Sequence, residues 1–370
     1  MDSKKWGSDK LEPVIYPALR GECVDRYEID WDGTLLIYPY KITGENTVVL
    51  EETALATEAP KTYKYLTKCK TRLKGRPYFE RSGKLWYELW NQRSMSHQSQ
   101  PKIVVQENSI RCEFVYDSGE YFYLDTCCGL SLPSESPMSY FYLLALLNSS
   151  LVDFAFRKVT VPKAGGHFIH KPMYLQQIPI RIVNFTTPKK KRKQLLEQGK
   201  KLYQQYLVSH DWGGVLAFVA EYLPQKADGT PDTEHEKSDV VHDLLAFLAE
   251  EMTRLNKEKQ SKIKGFLTWL EKEILKGSVE DQKNKTKIKD FHNGTFEDLL
   301  DVLKKNKAVP DPCPSGIRDT IASEFSAAVN TLTPLKAHIK VTNKLIDRIV
   351  YRLYGLTDAE IAIVEGLQNQ

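Results

Sequence analysis

Long apolar runs are missing from this sequence. No stretch approaches the ~20 apolar residues that a membrane-spanning helix needs, and the first twenty residues are polar and charged. Neither a membrane span nor a secretory leader is therefore predicted. Cysteine is sparse as well: Cys23, Cys69, Cys112, Cys127, Cys128 and Cys313 are scattered, and none forms a Cys-x-x-Cys pair. That pattern argues against a zinc framework and suits a reducing, cytoplasmic setting. The eight histidines are dispersed, and no His-Glu-x-x-His occurs. A Gly-x-Gly-x-x-Gly turn and a Gly-Lys-Ser/Thr phosphate loop are also absent. His167 and His170 stand three apart with no nucleophile or base pattern around them. Asp232 and Glu236-Lys237 are too close and too polar in context for a nuclease set, and read as a disordered acidic linker. The expectation is a binding chain with no catalytic, cofactor or metal residues of its own.

What is present is room, aromatics and an uneven charge. The 370 residues allow two or three domains. Hydrophobic residues make up 41% and aromatics 11%, as in a globular protein. Formal net charge is only +4, but residues 1–210 hold 30 Lys+Arg against 22 Asp+Glu, and the remainder 22 against 26. A polyanion would meet the front half.

Along the chain, Asp32-Gly33 predicts a hairpin between Tyr27–Trp31 and Thr34–Tyr38, because Asp-Gly accepts the positive φ of a tight turn. Residues 51–73 fit a helix whose continuous part starts at Pro60, with Tyr63, Leu66 and Leu73 on one face. Trp86 and Trp90, four apart, fit one buried helix face, or alternatively flat surfaces for an exposed base or supports for the loops. Residues 102–105, 110–115 and 120–124 read as short strands, with a turn at Asp117-Ser-Gly119. Ser136-Pro137 predicts a helix start, Asn148-Ser149-Ser150 an interruption and a second cap, and Gly165-Gly166 a point of close approach or tight turning. Beyond residue 182 the pattern turns helical. Helices are expected from Pro188 to about Ser209, from Val240 to Leu275, along the 3-4 stripe from Leu332 to Leu353 ending at Gly355, and from a Thr357–Glu360 capping box. The fold class is thus α+β: a mixed α/β domain over 1–185, then a mostly α-helical region with long helices over 186–370.

Two tracts are basic. Lys61 to Arg111 carries 12 basic and 3 acidic residues, and Arg157 to Lys171 follows a buried helix as a Gly-bearing loop. A recognition loop held against a core competes here with an ordinary core helix and a solvated loop.

Several local features resemble the C-terminal specificity (target recognition) region of TaqI-like N6-adenine DNA methyltransferases, including fused restriction-modification enzymes of type IIG. They are Pro17–Gly21 with Arg26-Tyr27, Leu36–Tyr40, Gly75-Arg76 with Trp86–Leu89, Pro101–Ile103, Leu144–Ser149, Lys163 through Tyr174 to Pro179, and Leu345–Glu360 around Tyr354-Gly-Leu-Thr357. They span most of the chain, and their order and spacing carry the resemblance. It implies a bacterial or archaeal cytoplasmic protein that binds double-stranded DNA, with no membrane partner. It further implies that this chain is a truncated piece or a separate specificity polypeptide. The methyltransferase domain, with its S-adenosylmethionine site and Asn-Pro-Pro-Tyr-type motif, would lie upstream or on another subunit. Mg2+ would enter only where a nuclease is fused.

Within that resemblance the candidate base readers are Arg76, Arg81, Arg93, His97, Arg157, Lys158, Lys163, His167, His170 and Lys171, because Arg and Lys reach guanine O6/N7 and His can donate or accept at a base edge. Lys74, Lys102 and the Lys189–Lys193 run, including Lys190 and Arg192, are the candidate phosphate contacts. The competing reading is a helical protein-protein interaction or scaffold module.

Overall fold

The computed structural model describes residues 11–77, 79 and 81–366. They divide into two compact units, one comprising residues up to Ile182 together with the C-terminal segment from Val364, the other Val183–Ile363.

The first unit is mixed α/β. Its elements are β1 (Ile15–Leu19), β2 (Val24–Asp25), β3 (Glu28–Ile29), β4 (Leu35–Ile37), β5 (Tyr40–Thr43), β6 (Asn46–Val49), α1 (Glu52–Glu58), α2 (Pro60–Lys68), α3 (Lys70–Lys74), α4 (Met95–Ser99), β7 (Lys102–Gln106), β8 (Asn108–Ser109), β9 (Phe114–Asp117), β10 (Phe122–Tyr123), β11 (Cys127–Leu130), α5 (Tyr140–Leu147), α6 (Ser150–Val159), β12 (Phe168–Ile169) and α7 (Pro172–Leu175). Two three-stranded sheets form its frame, ordered β10-β1-β4 and β11-β7-β9. β1 runs parallel to β10, pairing Ala18 with Phe122, and antiparallel to β4. β7 is central and antiparallel to both neighbours, which is why Ile103, Val104 and Val105 are fully buried.

Gly33 takes a positive φ of 84°, but no turn or hairpin forms at Asp32-Gly33. β4 pairs with β1 instead, and the tight pair is β2 with β3. The Asp32 carboxylate takes the Thr34 N–H and the Arg20 guanidinium, so it ties the residue before β4 to the residue after β1. The helix expected over 51–73 is three short pieces. Pro60 occupies the first turn of α2, where its missing N–H costs nothing. Trp86 is buried and Trp90 is 49% exposed, because residues 81–94 form turns rather than a helix.

α5 begins at Tyr140, capped by Ser139, three residues later than the Ser136-Pro137 signal. From Tyr142 to Leu147 it is buried on every side, and each leucine so buried contributes about 1.5–3 kcal/mol. Asn148 ends it, and the Ser149 hydroxyl accepts the Val152 N–H to start α6 at once.

The second unit is helical: α8 (Lys189–Ser209), α9 (Gly213–Tyr222), α10 (Ser238–Leu270), α11 (Lys285–Lys289), α12 (Phe296–Lys305), α13 (Ser315–Tyr354) and α14 (Asp358–Val364). α8 and α10 start and stop close to the sequence expectation, with a π-turn over Glu271–Leu275 closing α10. α13 begins seventeen residues before Leu332 and carries Pro334 inside it. The polar stretch after Leu223 is ordered by a Gln225–Pro231 bridge and a His235–Asp232 pair, not a disordered linker. Thr357 and Glu360 form the expected reciprocal cap. A separate apolar core joins Phe266, Leu270, Phe291, Leu299, Leu303 and Ile321.

Candidate nucleic-acid interface

The loop after α6 is built from a short anchored arch. Arg157 and Lys158 occupy the last turn of α6, where cations meet the negative helix end. Arg157 donates to Asp153 at 2.7 Å and to the Ile110 carbonyl at 2.8 Å, and lies over the Phe168 ring. Lys158 lies over Phe154. Thr160, buried, donates to the Ile169 carbonyl, and the Lys163 N–H donates to the His167 carbonyl, so residues 161–167 form a closed projection. At its tip Gly165 and Gly166 have φ of 78° and 76°, a conformation that costs any other L-residue about 1–2 kcal/mol. Lys163 is exposed there, and the His167 ring stands beside Gly165.

The second basic tract is pinned differently. Arg76 donates from Nε to the Leu73 carbonyl and from Nη2 to the carbonyls of Trp86 and Glu88. It clamps the segment between α3 and the Trp86 turn. Lys74 and Arg81 are exposed on either side of that clamp. Arg93 lies over the Tyr123 ring, 4.5 Å from its centroid, with Nη1 directed at the Cys127 carbonyl. Gly129 makes room for this stack: a Cβ there would fall 2.6 Å from the Tyr123 ring. His97 is exposed on α4.

Both tracts reach the start of β11: Arg93 Nη1 is directed at the Cys127 carbonyl, and Glu107, the partner of Lys171, donates its N–H to the Thr126 carbonyl. Burial raises the Cys128 thiol above its ordinary pKa; Arg93 and Lys171 oppose the rise and Glu107 adds to it. Lys171 also pairs loosely with Glu107, at 3.4 Å. A cavity of about 510 Å3 adjoins the arch, lined by Arg26, Arg111, Asn148, Asp153 and Arg157 among others. Each arginine is engaged there: Arg111 with Glu113, Arg26 with the Asn148 carbonyl, Arg157 with Asp153.

Residues 16–180 match the TaqI-like C-terminal specificity domain. The first unit therefore carries a TaqI-like specificity domain. Such domains are characteristic of TaqI-like adenine methyltransferases. The match stops at residue 180, well short of the Leu345–Glu360 segment that the sequence resemblance included. Residues 238–350 match a different domain, one of unknown function (DUF8810). No curated protein matches the chain.

Two candidates leave the exposed set of the specificity domain. Lys102 is 1% exposed, and its ammonium donates to Asp117 at 2.5 Å and to the Gln98 carbonyl at 2.7 Å. Burial lowers its pKa, against the pull of Asp117. An ammonium so enclosed cannot touch a phosphate. His170 is wholly buried, stacked on Phe156 with centroids 4.6 Å apart and edge-on to Phe114. Burial drives its pKa down to about 4, so it is a neutral core ring at neutral pH. Arg76 remains half-buried, with its guanidinium committed to backbone carbonyls. Outside the specificity domain, Lys189 and Lys190 are exposed on the first turn of α8, and Arg192 pairs with Asp243 over the Phe185 ring.

Sequence reasoning missed the aromatic cleft around Arg93. Trp90, Asn91, Tyr123 and Asp125 line a cavity of about 370 Å3 with Tyr38 and Leu124. The sequence offered Trp90 as a flat surface for an exposed base and Arg93 as a reader, but no sign that Tyr38, Tyr123 and Asp125 stand beside them. Among the described residues, no group of three or more His, Cys, Asp or Glu is placed to hold a metal ion.

Proposed function

We propose that the specificity domain binds duplex DNA and reads a short sequence for an N6-adenine methyltransferase or a fused restriction-modification enzyme. The catalytic domain, with S-adenosylmethionine, would be supplied by another part of the protein or another subunit. The match over residues 16–180 carries this reading. Two further features support it: Arg93 and the Glu107 partner of Lys171 both lie against β11, and the loop bearing Lys163 is closed by the Lys163 N–H to His167 carbonyl bond. In this reading Arg81, Arg93, His97, Arg157, Lys158, Lys163, His167 and Lys171 face the groove, and Lys74 meets phosphate. The helical unit, with its separate domain match, acts as spacer or scaffold, and Lys189 and Lys190 add backbone contacts.

Salt titration of binding to random and site-bearing duplexes tests the proposal. Counterion release predicts log affinity falling linearly with log salt, with a slope of several units. Weak, salt-independent binding to every duplex would sink it and favour the scaffold reading.

A further inference from the structure

The cleft beside Arg93 has a composition that a phosphate-binding surface does not require. Its walls are aromatic and aliphatic: Tyr38, Leu89, Trp90, Tyr123 and Leu124. Its volume, about 370 Å3, exceeds that of a single nucleobase. The Trp90 indole is half exposed at its mouth. The walls are held in place by bonds that do not involve the mouth. Gln98, buried, accepts the Tyr123 N–H at 2.9 Å and donates to the Tyr123 carbonyl, fixing β10 to α4. The Tyr38 hydroxyl donates to the Arg93 carbonyl, fixing the loop that carries Trp90.

Two polar side chains at the cleft stand apart from that scaffold. Asn91 and Asp125 are exposed, and neither side chain has a hydrogen-bond partner among the described residues. A carboxylate at the mouth disfavours a phosphate but suits an amino group. Arg93, over the Tyr123 ring with Nη1 directed at the Cys127 carbonyl, keeps further N–H groups for an acceptor. A flat ligand with an apolar face, an amino donor and a ring acceptor fits all three features.

We infer that this cleft is a base-binding pocket that accepts an unpaired, amino-bearing nucleobase of the bound DNA: adenine, cytosine or guanine rather than thymine. Trp90 supplies the stacking face, Asp125 accepts the exocyclic amino group, and Arg93 with Asn91 meets the ring acceptors. Stacking on an exposed aromatic is tolerant of base identity, so Asp125 is the residue that discriminates. The inference rests on the DNA-binding reading and adds to it a site for a base outside the helix.

The test compares the full chain on a plain duplex and on otherwise identical duplexes carrying one bulged A, C, G or T, at fixed salt, by anisotropy. The bulged A, C and G duplexes are expected to bind at least fivefold tighter than the plain duplex, with bulged T behind them. W90A should remove the bulge preference while leaving plain-duplex affinity unchanged. D125N should bring T level with the others while keeping the bulge preference. Equal affinity for plain and bulged duplexes would overturn the pocket alone. A plain duplex that fails to bind at low salt would overturn the DNA-binding reading, and the pocket with it. Both substituted side chains are exposed. Circular dichroism confirming that W90A folds makes a retained bulge preference in that variant a direct refutation.

Discussion

Asn148 holds Phe114 by both ends of its amide. The Phe114 N–H donates to Asn148 Oδ1 at 2.9 Å, and Asn148 Nδ2 donates back to the Phe114 carbonyl at 2.9 Å. The pair mimics one rung of a sheet and joins the α5–α6 corner to β9. Asn148 is buried. Replacing it with Ala leaves the Phe114 N–H without a partner, so the loss should be about 1–3 kcal/mol. Asn148→Asp keeps the acceptor and sets a carboxylate oxygen against a carbonyl, so it should also destabilise. Urea denaturation of the first-unit transition measures both.

The Lys102–Asp117 pair makes a different prediction. Both side chains are 1% exposed. Lys102→Met or Asp117→Asn alone leaves a buried group uncompensated, and each should cost about 3–5 kcal/mol. The double variant Lys102→Met with Asp117→Asn removes both charges. It should lose clearly less than the sum of the single losses, although Asp117 also receives the Glu120 N–H. A double-mutant cycle on melting temperatures checks this.

His170 gives the first unit a pH dependence of known sign. Its folded pKa is about 4, against an ordinary value of 6.5. Above pH 6.5 the ring is neutral in both states, and its contribution to stability is complete. As pH falls from 6.5 towards 4, the unfolded chain takes up a proton that the folded one refuses. Stability then drops by up to roughly 3 kcal/mol. His170→Phe keeps the stack on Phe156 and cannot titrate. The difference between the two proteins should open over that window in urea titrations run from pH 7 to 4. A parallel pair of curves would disprove the assignment.

Lys163 and Arg76 should separate cleanly. Lys163→Ala removes an exposed cation at the loop tip, and should lower the slope of log affinity against log salt by about 1 if it meets a phosphate. If it meets a base instead, discrimination should fall by roughly 1–3 kcal/mol. Arg76→Ala should act first on stability, because it frees the carbonyls of Leu73, Trp86 and Glu88. Thermal melts beside the binding titrations tell the two apart.

Local rules made much of this architecture readable in advance. Ser149 as a cap, Pro60 as a first-turn proline, Gly355 as a helix stop and the Thr357–Glu360 box each act within four residues, and each stands where the sequence put it. Pairings over longer separations were not readable. Thr34–Tyr38 looked like the return arm of a hairpin, yet β4 lies on β1, a choice made by burial of Ile15 and Leu35 in a shared core. Charge alone was equally ambiguous for the binding candidates. Lys102 and Lys163 look alike in sequence, but one faces Asp117 across β7–β9 and the other faces solvent. His170 differs from His167 only through the rings of Phe114 and Phe156, contributed from 56 and 14 positions away.

The enclosure of Lys102 also supplies a chemical clock. Its amine is bonded to Asp117, to the Gln98 carbonyl and, more distantly, to the Gln100 carbonyl. An acylating reagent needs a free amine lone pair and a path to it, and Lys102 offers neither while β7 and β9 stay paired. The exposed amines of Lys74, Lys163 and Lys190 should label within the first minutes, and DNA should shield those it covers. Lys102 should label only as fast as the sheet opens. One mass-spectrometric time course would then map the covered surface and report the integrity of the domain from the same sample.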